Sequence, residues 1–141
     1  MTLYLDTSAV VKLYAVEPGS DETKRAAVQA TQIASSLLAY VETRAALARK
    51  YRMHQITVAE HQKSKSEFEL HWSSFFKLPI DREIVRHAAE LAERFALRAY
   101  DSVHLASADR LHRETRSAVS FACFDDALNT AAASLGMRLV G

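Results

Sequence analysis

The sequence predicts an α/β fold, with a central, mostly parallel sheet of about five short strands sandwiched between helices. Three observations predict it. Short apolar runs at 3–5, 32–35, 77–80, 118–124 and 137–140 alternate with segments of helical periodicity. Residues that cap helices or turn the chain stand between them. The 141 residues suffice for one domain, 1–141, which would bury about two thirds of the surface its unfolded chain exposes.

The first run ends at Asp6, and Val10, Val11 and Tyr14 continue it as a helix. Glu17, Pro18, Gly19 and Ser20 form a turn, with Ser20 placed to cap a helix over 21–29 whose first-turn acids suit the helix dipole. A strand at 32–35 precedes a long helix, 37 to about 52, where Leu37, Leu38, Val41, Ala45 and Ala48 recur at helical spacing. Thr57 opens the next helix, Glu60 completes a capping box, and the helix is expected to reach about residue 76. Phe68, Trp72, Phe75 and Phe76 concentrate bulky apolar area at its end, which belongs in the core; any exposed surplus would be a docking or dimer surface. The run 77–80 surrounds Pro79, so it belongs at a sheet edge. Asp81 caps a helix to residue 95 with Ile84, Val85, Ala88, Leu91, Ala92 and Phe95 on its apolar face. A further helix runs from near Asp101 through Arg113. Asp125 and Asp126 open an alanine-rich helix that Gly136 ends.

Composition excludes several classes of protein. Hydrophobic residues make up 49% and charged ones 25%, with three glycines and two prolines, which argues against disorder and repeats. The apolar runs are too short to span a bilayer, and no basic, apolar and cleavage segments open the chain, so a soluble, cytoplasmic protein is expected. One cysteine, Cys123, forbids an internal disulfide and lies in an apolar run, as a buried thiol would. The six histidines form no zinc motif, and only His104 lies near an acid of interest. A net charge of +1 gives no global pull on nucleic acid, so polyanion binding would rest on local basic clusters or on a metal.

Four acids stand in odd places. Asp6 ends the first strand, where open α/β sheets bind ligands, beside the hydroxyls of Thr7 and Ser8. Glu42 shares a helix face with Leu38, Ala45 and Ala46, at the edge of the expected buried side. Asp101 heads the inward stripe of Leu105, Ala108 and Leu111, and Asp125 follows the strand 118–124. The three aspartates also suit helix N-caps, so each has a plain structural alternative. Parallel strands, however, end side by side. Four carboxylates within about 5 Å would repel by roughly 3 kcal/mol per pair at an effective dielectric of 20. A cation relieves that repulsion, and all-oxygen donors suit Mg²⁺ or Mn²⁺. Such ions activate water and neutralise charge at phosphorus, so the implied chemistry is phosphodiester hydrolysis.

The run Leu3-Tyr4-Leu5-Asp6-Thr7-Ser8-Ala9, the helix with Glu42, the run Leu97-Arg98-Ala99-Tyr100-Asp101-Ser102-Val103-His104-Leu105-Ala106 and the run Phe124-Asp125-Asp126-Ala127-Leu128 closely resemble PIN-domain ribonucleases. Among these, the chain looks most like VapC-type toxins of prokaryotic toxin–antitoxin operons. The resemblance covers nearly the whole length. It implies a PIN-like α/β/α sandwich, an endoribonuclease that uses Mg²⁺ or Mn²⁺, a homodimer, and a small antitoxin protein that covers the site. Asp6, Glu42, Asp101 and Asp125 match the family's acids. Asp6 and Asp101 are then expected as direct ligands, Glu42 as holding a metal-coordinated water, and Asp125 as a ligand or orienting group. Asp126, next to Asp125, leaves open which of the pair faces the metal, and Ser8 matches the hydroxyl that supports the first acid. Lys12, Arg49 and Arg98 are candidates for gripping RNA phosphates, against the alternative of solvated helix faces.

Two other classes compete. A haloacid-dehalogenase-like phosphatase needs a second aspartate two residues after its nucleophile, where this chain has Ser8, and a phospho-receiver needs an acidic pair ending its first strand, which is not evident. A non-catalytic RNA- or protein-binding module of the same fold is expected to have lost at least one acid, and this chain keeps all four.

Overall fold

A computed structural model describes residues 1–116 and 118–140. Among them lie, in order, β1 (Thr2–Leu5), α1 (Thr7–Lys12), α2 (Ser20–Gln29), β2 (Gln32–Ser36), α3 (Leu38–Arg52), α4 (Val58–Trp72), β3 (Phe76–Leu78), α5 (Arg82–Phe95), α6 (Ala99–Glu114), β4 (Val119–Ala122), α7 (Asp126–Ser134) and β5 (Arg138–Leu139). The strands form one sheet in the order β3-β2-β1-β4-β5, with every pair parallel. The chain builds outward from β1 to β3, then crosses back to place β4 on the other side of β1. Strand order therefore reverses at β1, and the crevice beyond its carboxyl end is where such sheets bind ligands.

Alternating side chains of β1 feed two cores. Tyr4 packs with Phe121 (ring centroids 5.7 Å apart), Ile84, Leu91, Leu105 and Leu128 on the α5, α6 and α7 side. Leu3 and Leu5 pack with Val10, Leu47, Phe68 and Phe75 on the other. Both faces of the sheet are covered, as parallel sheets require.

The expected elements are present, with shifts that have physical reasons. Ser20 does not cap α2: Gly19 takes that place at φ 93°, and the Ser20 hydroxyl instead donates to the Ala15 carbonyl and accepts from the Glu17 amide. Helix α3 buries Ala39, Thr43 and Leu47, whereas Leu37 and Val41 are exposed, Val41 at 60%. The inward face is thus rotated from the expected one, and α3 packs mainly against α1 and α4 rather than on the sheet. Both capping-box bonds of Thr57 and Glu60 are made. Helix α4 stops at Trp72, and Phe76 leaves it to start β3 with its ring exposed, so only Phe68, Trp72 and Phe75 of the aromatic stripe join the core. Strand β3 is an edge strand, and Pro79 follows it directly. Val85 on α5 faces solvent, outside the stripe of Ile84, Ala88 and Leu91. No helix among the described residues is long and apolar enough to cross a membrane.

Candidate active site

Asp6 is fixed before its side chain does anything. Its amide donates to the Ala122 carbonyl, which extends the sheet by one bond, and its carboxylate Oδ1 accepts from the Ala9 amide at 3.0 Å and the Ser8 hydroxyl at 2.7 Å. Asp6 is thus the N-cap of α1, and it is only 5% exposed. Burial pushes its pKa up and the charge of Asp101 adds to this, against the lowering influence of His104, Ser8 and the Ala9 amide.

Asp101 is not a cap. The N-cap of α6 is Arg98, which offers no side-chain bond, and Asp101 lies in the first turn, 8% exposed, with Oδ2 accepting from Arg98 Nε at 3.0 Å. Arg98 also reaches Asp125 Oδ2, with Nη2 at 3.8 Å. Asp125 caps α7 through Oδ1, which accepts from the Leu128 amide at 2.9 Å. Glu42 stands at the edge of α3, half-buried, as its helical position implies. Its Oε1 accepts from Thr7 Oγ1 at 2.5 Å and from His104 Nε2 at 3.0 Å. Burial alone would raise its pKa, but the bonds from His104 and Thr7 outweigh burial and hold it below the ordinary value.

All four acids line one cleft of about 650 Å³ at the carboxyl end of β1, together with Thr7, Ser8, Glu17, Arg98, Tyr100, His104 and Phe124. They do not stand as a ready ligand set. Among the described residues, no three acid, histidine or cysteine side chains are grouped closely enough to hold one ion. The reason is local, since each carboxylate is held by its own donors: Ser8 and an amide for Asp6, Thr7 and His104 for Glu42, and Arg98 between Asp101 and Asp125.

The other expected residues divide. Ser8 and Arg98 line the cleft. Asp126, the first residue of α7, is exposed and outside it. Arg49 is exposed and also outside the lining. Lys12 is buried behind the wall, its ammonium 2.7 Å from Glu17 Oε1 and 4.3 Å from the centre of the Phe124 ring. Cys123 is buried, and burial pushes its thiol up to about 12, so it is no nucleophile.

Thr7, whose hydroxyl the sequence places beside Asp6, and His104, one helical turn beyond Asp101, both line the cleft. Glu17, a fifth carboxylate at the cleft, had no signal in the sequence because it sits in a turn. Burial would push it up, but Lys12 and Lys50, at 2.7 and 2.8 Å, outweigh that and hold it low. Beneath the cleft, Tyr4 Oη lies 2.8 Å from His104 Nδ1. Glu42 only accepts, so His104 Nε2 carries a hydrogen toward it, and Nδ1 on the other side of the ring pairs with the tyrosine hydroxyl.

A parallel sheet in this order with acids at the carboxyl end of its central strand defines a class, and the PIN domain matches residues 3–133. The chain belongs to the PIN-domain family, among its VapC-type members. It is similar to Ribonuclease VapC45 of Mycobacterium tuberculosis, with 39% identity over 106 residues that cover 75% of this chain and 74% of that protein. Ribonuclease VapC46 of the same organism is 31% identical over 138 residues, covering 98% and 95%. The fold is that of FitAcB from Neisseria gonorrhoeae, with a TM-score of 0.68 at 15% identity over 99% of this chain and 96% of that one. VapBC-5 from Mycobacterium tuberculosis gives a TM-score of 0.59 at 19% identity over 99% and 97%.

Proposed function

We propose that residues 1–141 act as one unit, a metal-dependent endoribonuclease that hydrolyses RNA phosphodiester bonds and serves as the toxin of a cytoplasmic toxin–antitoxin module. The observation that carries this reading is the meeting of Asp6, Glu42, Asp101 and Asp125, from four separate parts of the chain, in one cleft. Relatives at 39% and 31% identity bear the name ribonuclease, and solved neighbours include a toxin–antitoxin complex from Klebsiella pneumoniae. A small antitoxin and a second copy of the chain are the partners that this membership supports.

The donor set fits Mg²⁺ or Mn²⁺. It is all oxygen, and both protein hydrogen bonds to Asp6 fall on Oδ1, so the same carboxylate has Oδ2 to offer a cation. Asp6 and Asp101 would hold the ion, with Glu42 and Asp125 completing its surroundings. A bound ion lowers the pKa of water and neutralises charge developing on the phosphate. The chain's own residues do the positioning. Ser8 and the Ala9 amide fix the Asp6 plane, Thr7 and His104 keep Glu42 ionised and aimed, and Arg98, which pairs with Asp101 and lies near Asp125, would be the group available to phosphate oxygens if a cation took over that pairing.

The test is cleavage of total cellular RNA by the antitoxin-free protein with Mg²⁺, with Mn²⁺ and with chelator, beside Asp6→Asn. Discrete fragments that require metal and vanish in the variant are expected. Intact RNA in every lane would refute the activity.

A further inference from the structure

Two large aromatic rings at the cleft are left part-exposed. Tyr100 and Phe124 are 44% and 41% exposed, and both line the cleft. Each directly precedes an acid of the site, Asp101 in one case and Asp125 in the other. Each carries a cation over its ring, with Arg98 Cζ 5.0 Å from the Tyr100 centroid and Lys12 Nζ 4.3 Å from that of Phe124.

The rings are held in place. Tyr100 belongs to the first turn of α6, whose residues 101–109 are buried apart from Val103. Phe124 packs on Gly19 so closely that a Cβ there would fall 2.5 Å from ring Cε1 and 2.9 Å from Cζ, and Gly19 has a φ of 93°, which other residues rarely adopt. The chain therefore keeps a large apolar ring at the mouth of an acid-floored cleft and leaves out the side chain that would displace it.

We propose that Tyr100 and Phe124 are base-stacking platforms, on which unpaired nucleotides flanking the scissile phosphate lay their bases. This rests on the ribonuclease reading and names two side chains of this chain that would hold the substrate's bases. Aromatic faces take any base, the cation behind each ring strengthens the contact, Arg98 at the cleft wall can also reach a neighbouring phosphate, and a base already paired and stacked in a duplex has no face to offer. An apolar protein segment would use the rings but has no need of Arg98 or of the acids that the ribonuclease reading assigns to a metal ion, whereas RNA uses both.

The probe is a fluorescein-labelled ten-nucleotide RNA of mixed sequence, compared with its duplex and with an abasic strand of equal length. Binding is read by anisotropy in Mg²⁺ on Asp6→Asn protein, which is expected not to cleave and leaves the Arg98–Asp101 pair in place. The parent should prefer the base-bearing single strand over both competitors. Tyr100→Ala and Phe124→Ala should each weaken that strand roughly 5- to 150-fold and leave the abasic strand unaffected, whereas Tyr100→Phe and Phe124→Tyr retain binding. A parent without preference for bases overturns the proposal. So do alanine variants that bind like the parent or lose the abasic strand equally, the result expected if the rings serve a protein partner or only support the fold. Failure of the ribonuclease reading is separately visible, because total-RNA cleavage by the wild-type protein does not depend on this binding measurement.

Discussion

Tyr4→Phe removes one oxygen from the centre of the molecule, and the structure says what that should cost. Tyr4 is fully buried, and its hydroxyl lies 2.8 Å from Nδ1 of His104, itself 1% exposed. Burial pushes the pKa of this hydroxyl up, against the lowering influence of Ser107, Ser36 and Ser35. The Ser107 and Ser35 hydroxyls have their own acceptors, the Val103 carbonyl at 2.8 Å and the Leu5 carbonyl at 2.6 Å, so they survive the change. His104 Nδ1 does not, because burial seals it from solvent. An unsatisfied buried polar atom costs about 1–3 kcal/mol, which in a domain of this size lowers the melting temperature by roughly 2–4 °C per kcal/mol. The internal control is Tyr14→Phe. There the hydroxyl meets His71 Nδ1 at 2.9 Å, the same chemistry, but His71 is exposed and water can replace the lost partner. Urea denaturation followed by circular dichroism, in chelator, should therefore rank Tyr4→Phe at least about 1 kcal/mol below Tyr14→Phe. Equal losses would refute the claim that the Tyr4–His104 bond is a sealed support for Glu42.

Two further outcomes concern the acids. Asp6→Asn keeps the acceptor for Ser8 and Ala9 but removes a buried charge, so in chelator it should melt above the wild type; with Mg²⁺ the order should reverse, since only the wild type gains ligand stabilisation. The sign with pH follows from the raised pKa of Asp6: its favourable contribution is complete below the unfolded value near pH 3.9 and is lost as pH rises through the higher folded value, so the gap between variant and wild type should widen upward from about pH 4. Differential scanning fluorimetry checks both, and a lower melting temperature for the variant in chelator would sink the crowding argument. Arg98→Gln removes the cation between Asp101 and Asp125. Because that guanidinium is largely exposed, calorimetry should show only roughly two- to fivefold tighter Mn²⁺ binding, with slightly lower stability of the metal-free variant; unchanged affinity would mean that Arg98 does not compete with the ion.

Strands and caps were legible because their signals are local. Asp81 and the Thr57–Glu60 box fix two helix starts through bonds that span three residues, and both form as the sequence implies. What sequence could not carry was the choice of face on α3. Leu37 and Val41 are exposed, yet Ala39, Thr43 and Leu47 face inward, because packing against α1 and α4, which no local signal encodes, decides which side turns in. The position of Phe76 turned on a similar point, since a phenylalanine extends a helix or begins an edge strand according to the neighbours it meets in space. Glu17 was invisible for a third reason. A turn residue has no periodicity, and its place at the cleft depends on Lys12 and Lys50 drawing it there.

The acids posed a choice that the structure dissolves. An aspartate after a strand reads either as a helix cap or as a catalytic carboxylate, and for Asp6 and Asp125 the cap reading holds: each accepts the amide three residues on through Oδ1. Both nevertheless line the cleft. A carboxylate has two oxygens, and a cap uses one. The bond to the helix removes the rotational freedom that a ligand would otherwise lose on binding, so capping prepares the second oxygen for its partner. Asp101, which caps nothing, is restrained instead by Arg98, a side chain that a stronger cation can displace. If Asp6 and Asp101 hold an ion as proposed, Asp6 is the ligand already fixed by its cap, Asp125 is held in the same way beside it, and the Arg98–Asp101 pair is the part that would have to open to admit the ion.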